Sequence, residues 1–244
     1  MADQARTSAP TSAPTSAPTD APGGTPAGTS GGPTWTRARL VRVLRLCFGS
    51  TPAGEVDTTA VAAAMGVSRR SVQRWLNAPH GRSRAPIPAA RLTQLVELTQ
   101  PAALTLRREA QGADYALDAI AKLGLGRGRG VLPSWRERRW LEPHLVVVLE
   151  VKVDDQKIRQ VLLGRADLGR LDGFRKRGRV VDQTTVPTRF HATVLTHRVL
   201  AARQPWRYQA RPGQVAASYT QAWLDDAPAT HLSRDAQELP PPPP

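Results

Sequence analysis

The stretch from Thr58 to Leu76, TTAVAAAMGVSRRSVQRWL, constrains the fold more than any other part of the chain. Its apolar residues, Val61, Ala62, Met65, Val67, Val72 and Trp75, recur at helical spacing on both sides of one glycine. That pattern predicts two short helices joined by a tight turn. Each position meets a separate demand. Ala62 is small where two helices cross closely, and Gly66 stands where the turn requires a positive φ. Ser68 falls at the N-cap of the second helix, where its hydroxyl accepts from an orphan amide.

With the apolar residues turned inward, Ser68, Arg69, Arg70, Gln73, Arg74 and Asn77 face outward. These residue types suit a major groove. Arginine binds guanine edges bidentately, glutamine and asparagine bind adenine edges, and a serine at a helix N-terminus holds a phosphate. Arg82 and Arg84, in the following loop NAPHGRSRAPIP, add cations suited to the phosphate backbone. From Thr34 to Thr99 ten arginines stand against Glu55, Asp57 and Glu97, a surplus of seven that is half of the net charge of +14. The bland alternative is a solvated helical hairpin in an arginine-heavy chain. Of 34 basic residues only Lys122, Lys152, Lys157 and Lys176 are lysine, so arginine excess alone proves little.

Over Trp35 to Leu98 these features resemble the phage-repressor-type helix-turn-helix DNA-binding family. The resemblance implies that the segment Ser68 to Asn77 enters the major groove of double-stranded DNA. A narrower resemblance covers Met65 to Leu92 only. There GVSRRSVQRWL, followed by HGRSRAPIPAARL, is similar to the telomere terminal proteins of linear actinobacterial replicons. That resemblance implies a protein that binds replicon ends and offers a side-chain hydroxyl to prime synthesis, with a DNA polymerase or other replication protein as partner. No priming residue carries over to this chain.

The rest of the chain divides by composition. Residues 1–33 hold TSAPTSAPTSAPTDAP and GGTPAGTSGGP, in which no apolar face forms, so a disordered leader is expected. Residues 34–123 read as a helical, helix-turn-helix domain. Its first helix lies in TWTRARLVRVLRLCFG, and further helices span about Ala89 to Thr99 and about Ala102 to Leu123. A linker is expected over 124–134, where GLGRGRG packs four glycines into seven residues. Residues 135–230 read as a small α+β domain for dimerisation, partner binding or grip on the DNA backbone. LVVVLEVKV, KIRQVLLGR, RVVDQTTV and FHATVLTH are its candidate strands, and Gln214 to Leu224 is its final helix. A proline-rich disordered tail is expected over 231–244. The predicted fold class is therefore α+β multi-domain: an N-terminal all-α helix-turn-helix domain, a small C-terminal α+β domain, and disordered ends.

Weaker signals lie outside the motif. Arg127 and Arg129 in GRGRG resemble a minor-groove arginine hook without its flanking prolines, and a flexible linker is the simpler account. SWRERRW (residues 134–140) and FRKRGR, with Arg175, Lys176 and Arg177, combine cations with aromatics and are candidates for secondary phosphate contacts. Glu150 and Lys152 share one side of a strand at the spacing of a metal-dependent nuclease. Between Leu123 and Leu149 only Glu137 and Glu142 are acids, and an edge-strand ion pair is the competing account. The five histidines show no metal spacing, and no nucleophile elbow is present, so no catalytic residue, metal ligand or cofactor is assigned. Cys47 is the only cysteine, no secretory signal is legible, and no apolar run approaches membrane-spanning length. The expectation is a cytoplasmic, nucleoid-associated protein that binds double-stranded DNA, with a homodimer considered and no membrane partner. Transcriptional regulation on a bacterial chromosome or mobile element is the leading role. The terminal or replication-initiation role and the nuclease are the alternatives.

Overall fold

A computed structural model describes residues 34–77, 86–125, 130–167, 169–215 and 218–241. The expected leader, the loop arginines Arg82 and Arg84, and the hook arginines Arg127 and Arg129 lie outside the described residues. The first five helices are α1 (Arg37–Phe48), α2 (Thr58–Met65), α3 (Arg69–Leu76), α4 (Ala89–Thr99) and α5 (Ala103–Leu123). After the short α6 (Pro133–Glu137) come strands β1 (His144–Val153) and β2 (Gln156–Arg165), helix α7 (Arg170–Arg175) and strand β3 (Arg179–Val186). Helix α8 (Arg189–Ala202), strands β4 (Arg207–Tyr208) and β5 (Ala222–Leu224), and helix α9 (Leu232–Gln237) complete the chain. The protein is α+β, and the five strands form one antiparallel sheet in the order β3-β1-β2-β5-β4.

Strand β1 is an interior strand, so Glu150, paired to both β2 and β3, is not at a sheet edge as expected, while Lys152 lies beyond the last β3 partner. Its run of valines and leucines is buried on both faces, which is why the sequence reads as continuously apolar rather than alternating. Val146 and Val148 point to the face covered by α8 and α5, where Ala116, Ala119, Phe190, Leu195 and Val199 complete the main core. Leu145, Val147 and Leu149 point to the other face and meet Leu162 and Phe174 of α7. Farther along that same face, Val153 and Ile158 meet Val43 and Leu46 of α1. The β1–β2 hairpin closes through Asp154 and Asp155 at φ of 47° and 62°. Two consecutive left-handed residues match the right-handed twist of the flanking strands.

Two expected elements are corrected. FHATVLTH is not a strand but the first half of α8, started by Thr188, whose hydroxyl accepts from the His191 amide at 3.3 Å. Phe190, His191, Ala192, Val194, Leu195 and Thr196 are all buried, so the helix is packed nearly all round. That leaves no helical stripe in the sequence, only β-branched residues that suggest a strand. Among the described residues of the expected helix Gln214 to Leu224, none is helical. Its end forms β5, which fills the gap between β2 and β4 and buries Trp223 completely.

Residues Gly32 to Pro244 cluster as one compact unit. Helix α5, expected with the N-terminal helices, lies along α8 and gives Ala116, Ala119 and Ile120 to the sheet's core. Glu109 of α5 takes a bidentate pair from Arg207 of β4, both contacts at 3.0 Å, and Arg207 Nη2 also donates to the Thr220 carbonyl at 2.6 Å. The described part of the expected disordered tail is also packed, through α9: Leu232 is fully buried and Leu239 nearly so, and the Leu232 amide donates to Asp182 at 2.9 Å. A chain ending in prolines looks unstructured locally, and only the nearby core accounts for the order of its first turns.

The Arg207 side chain is 1% exposed and has no other carboxylate partner among the described residues. Glu109→Ala leaves that guanidinium buried and unpaired. The expected cost is about 3–5 kcal/mol, read as a lower urea midpoint with unchanged slope. A loss below about 1 kcal/mol would show that Arg207 relaxes to water.

Candidate nucleic-acid interface

The α2–α3 pair is held by local chemistry at every junction. Asp57 caps α2, its carboxylate accepting from the Thr59 and Ala60 amides at 3.0 Å each. Asp57 is therefore more than a charge in the sequence, since an aspartate just before a helical run is itself a start signal. Gly66 ends α2 in the left-handed region at φ 61°, and the Val67 amide returns to the Ala62 carbonyl at 3.1 Å. This six-to-one closure is a Schellman cap. Ser68 then caps α3 by accepting from the Ser71 amide at 3.2 Å. The Met65 carbonyl left over at the end of α2 takes bonds from Arg91 at 3.1 Å and Gln94 at 3.3 Å, which ties the turn to α4.

The inward residues form one cluster: Leu40 and Leu44 of α1, Val61, Ala62 and Met65 of α2, Val72 and Trp75 of α3, and Leu95 of α4. Val61 and Val72 are fully buried. Every apolar position singled out in the motif is therefore buried or partly buried against the others. On the opposite side Ser68, Arg69, Arg70, Gln73 and Arg74 are exposed and Asn77 is half-buried. Arg69 Nε donates to the Thr58 hydroxyl at 3.1 Å, pinning the first turn of α3 to the start of α2. The side chains of Arg70, Gln73 and Arg74 make no hydrogen bond or ion pair with another described residue.

Two residues of the surface were missed in the sequence. Arg37 and Arg45 of α1, with Arg69, Gln73 and Asn77, line a cleft of about 330 Å3 beside α3. Arg37 Nε donates to the Leu76 carbonyl at 2.5 Å, clamping the last turn of α3. The other two arginines of α1 turn away: Arg39 pairs with Asp226 at 2.7 Å, and Arg42 pairs with Asp225 at 2.5 Å and Asp226 at 2.8 Å. The signal was present as spacing. Arg37, Val41 and Arg45 fall on one helical stripe, whereas Arg39 and Arg42 fall on another.

No protein-family model, curated protein or solved structure matches this chain. The geometry therefore stands by itself.

The secondary candidates divide. Arg175, Lys176 and Arg177 are exposed at the end of α7 and in the turn after it, and Arg175 already pairs with Asp172 at 3.1 Å. Phe174 beside them is core. In SWRERRW, Trp135 is buried, donates to the Tyr115 hydroxyl at 3.0 Å and packs edge-on against Phe190 at 4.7 Å. It is not free to stack on a base. Glu150 accepts from Arg179 at 3.0 and 3.3 Å and lies 3.6 Å from Lys157. Arg179's hydrogen bonds hold its carboxyl below the usual range. Lys152 pairs with Asp155 at 2.6 Å, so the two residues of the nuclease-like spacing are engaged with other partners. Among the described residues no cluster of three metal-ligating side chains occurs and no helix is long and apolar enough to cross a membrane.

Gly66 has open space around its Cα, so a methyl group there meets no neighbour, and only its φ resists substitution. Gly66→Ala is expected to lower stability by about 1–2 kcal/mol, the cost of an L-residue in that region, measured by chemical denaturation. An unchanged midpoint would mean that the turn relaxes to another form.

Proposed function

We propose that the chain binds double-stranded DNA in a sequence-specific way through α2 and α3, used as a helix-turn-helix with α3 in the major groove. One observation carries the reading. A short helix is anchored by Val72 and Trp75 on one side, while Arg70, Gln73 and Arg74 on the other side have no partner within the described chain. Side chains of that kind on a helix fixed at both ends reach base edges without losing internal bonds.

Supporting residues surround them. Ser68 and the first amides of α3 suit a phosphate, and Arg37 and Arg45 extend the cationic surface along α1. The charge argues in the same direction, because half of the net +14 comes from Thr34 to Thr99. Regulation of transcription is the commonest use of such a surface, and it is the role we propose.

Arg70→Ala or Gln73→Ala is expected to weaken binding to the preferred site by about 1–3 kcal/mol and to relax base choice at one position. Arg45→Ala is expected to act on all sequences alike and to reduce the salt slope by about one. Binding assays over a salt series with preferred and random duplexes read both. Equal losses on the two duplexes for Arg70→Ala would show that α3 is not the reading helix. Genome-wide mapping of bound sites tests the role: enrichment at promoters supports regulation, and enrichment confined to replicon ends overturns it.

A further inference from the structure

The second half of SWRERRW borders a pocket that the DNA-binding reading does not use. It has a volume of about 320 Å3 and opens beside the first residue of β1, the last residues of β2 and the start of α8. Four arginines line it, Arg138, Arg165, Arg170 and Arg189, against a single acid, Asp167. That acid is taken: Arg165 donates to it from Nε at 2.8 Å and from Nη2 at 2.5 Å. Arg138, Arg170 and Arg189 have no carboxylate within ion-pair distance among the described residues.

Like charges gathered in a partly enclosed pocket repel one another, so something must hold them in place. Trp140 holds two. The guanidinium carbons of Arg138 and Arg189 lie 5.3 and 5.2 Å from the centroid of its ring, within the range of cation–π attraction. The Trp140 ring rests edge-on against Phe190 at 5.9 Å, and its carbonyl accepts from the Arg189 amide at 2.8 Å. Gly164 makes room for the third. A Cβ at Gly164 would fall 2.5 Å from Arg170 Nε, so this strand residue lacks a side chain where a guanidinium lies over the sheet. His144 lines the same pocket. Its Nδ1 donates to the Glu142 carbonyl at 2.8 Å, and burial, with Arg189 and Arg165 nearby, holds its pKa below the ordinary histidine value.

We propose that this pocket binds a phosphoryl group, carried either by a free nucleotide or by the end of a nucleic-acid strand. Three guanidiniums held in place without internal carboxylates present forks of N–H donors, and a phosphoryl dianion supplies both the missing negative charge and the acceptor oxygens. The volume sits at the lower end of small-molecule sites, roughly 300–1,000 Å3, which leaves space for a sugar beyond the phosphate. The pocket is built from the sheet, α7, α8 and the turn after α6, so it does not depend on α3 reading DNA.

Isothermal titration calorimetry on the full chain tests this with inorganic phosphate, thymidine, thymidine 5′-monophosphate, and a short single strand with or without a 5′-phosphate. Phosphate and the monophosphate are expected to bind, and thymidine is not. Arg138→Gln and Arg189→Gln are each expected to weaken the monophosphate by about tenfold. Gly164→Ala, which displaces Arg170 without removing charge, is expected to weaken it too. Arg107→Gln, on the exposed side of α5, removes the same charge elsewhere and leaves binding unchanged. A 5′-phosphorylated strand that outbinds its 5′-hydroxyl counterpart, and loses that advantage in Arg189→Gln, assigns the phosphoryl group to a strand end. Equal binding of the two strands, with the monophosphate still dependent on Arg189, assigns it to a free nucleotide. Absence of heat with every phosphorylated probe overturns the proposal. So does monophosphate binding that is equal in the wild type, Arg138→Gln, Arg189→Gln and Gly164→Ala.

Discussion

Helix α1 is buried along two separate stripes, and the rest of the molecule is arranged around that fact. Leu40 and Leu44 join the core of α2, α3 and α4, while Val43 and Leu46 join a core made with Val153, Ile158, Tyr208 and Leu224. The Leu46 carbonyl, near the end of the helix, is met by the Tyr208 hydroxyl at 3.2 Å. Arg39 and Arg42 reach Asp226 and Asp225 just past β5, with the Arg39 side chain only 5% exposed. A partly buried ion pair contributes little net stability against a well-packed apolar alternative, but leaving the buried Arg39 without its partner penalises any other docking angle. The pairs thus orient α1 on the sheet, and the apolar contacts on both sides supply the adhesion.

This arrangement settles how the cations are used. On α1 the stripe with Arg39 and Arg42 is committed inside the fold, and the stripe with Arg37 and Arg45 is delivered to the cleft beside α3. On the sheet, Arg207 is neutralised by Glu109 and Arg179 by Glu150. Among the arginines without a carboxylate partner, Arg70 and Arg74 stand on the exposed side of α3, and Arg138, Arg170 and Arg189 share the pocket around Trp140. A large positive charge by itself implies only attraction for polyanions. Unpaired groups that lie side by side are what mark two candidate anion-facing surfaces.

The α2–α3 surface was legible from residues because its determinants are local. Caps, a left-handed glycine and apolar spacing act within a few residues, so Gly66, Ser68, Val72 and Trp75 take the places that their chemistry requires. The limits of α4 and the extents of β1, β2 and β3 were close for the same reason, since each is a single periodic or β-branched run. Helix α8 was misread because burial nearly all round erases the stripe that distinguishes a helix. Strand β5 was misread because QVAASYTQAWL has helical residues, and only the vacant edge of β2 makes its last three residues a strand.

The sequence by itself determined the two short helices, the residues that face away from their core, and the presence of a β-rich second half. These follow from spacing and from side chains acting on their own backbone. Tertiary structure decided that α5 belongs with the sheet, that the tail's first turns are packed, and that α1 serves two cores at once. It also decided which arginines meet a carboxylate. Asp225 and Asp226 lie far along the chain from Arg42 and Arg39, and Glu109 lies far from Arg207. No local rule pairs charges across such distances, because the pairing depends on which surfaces burial brings together.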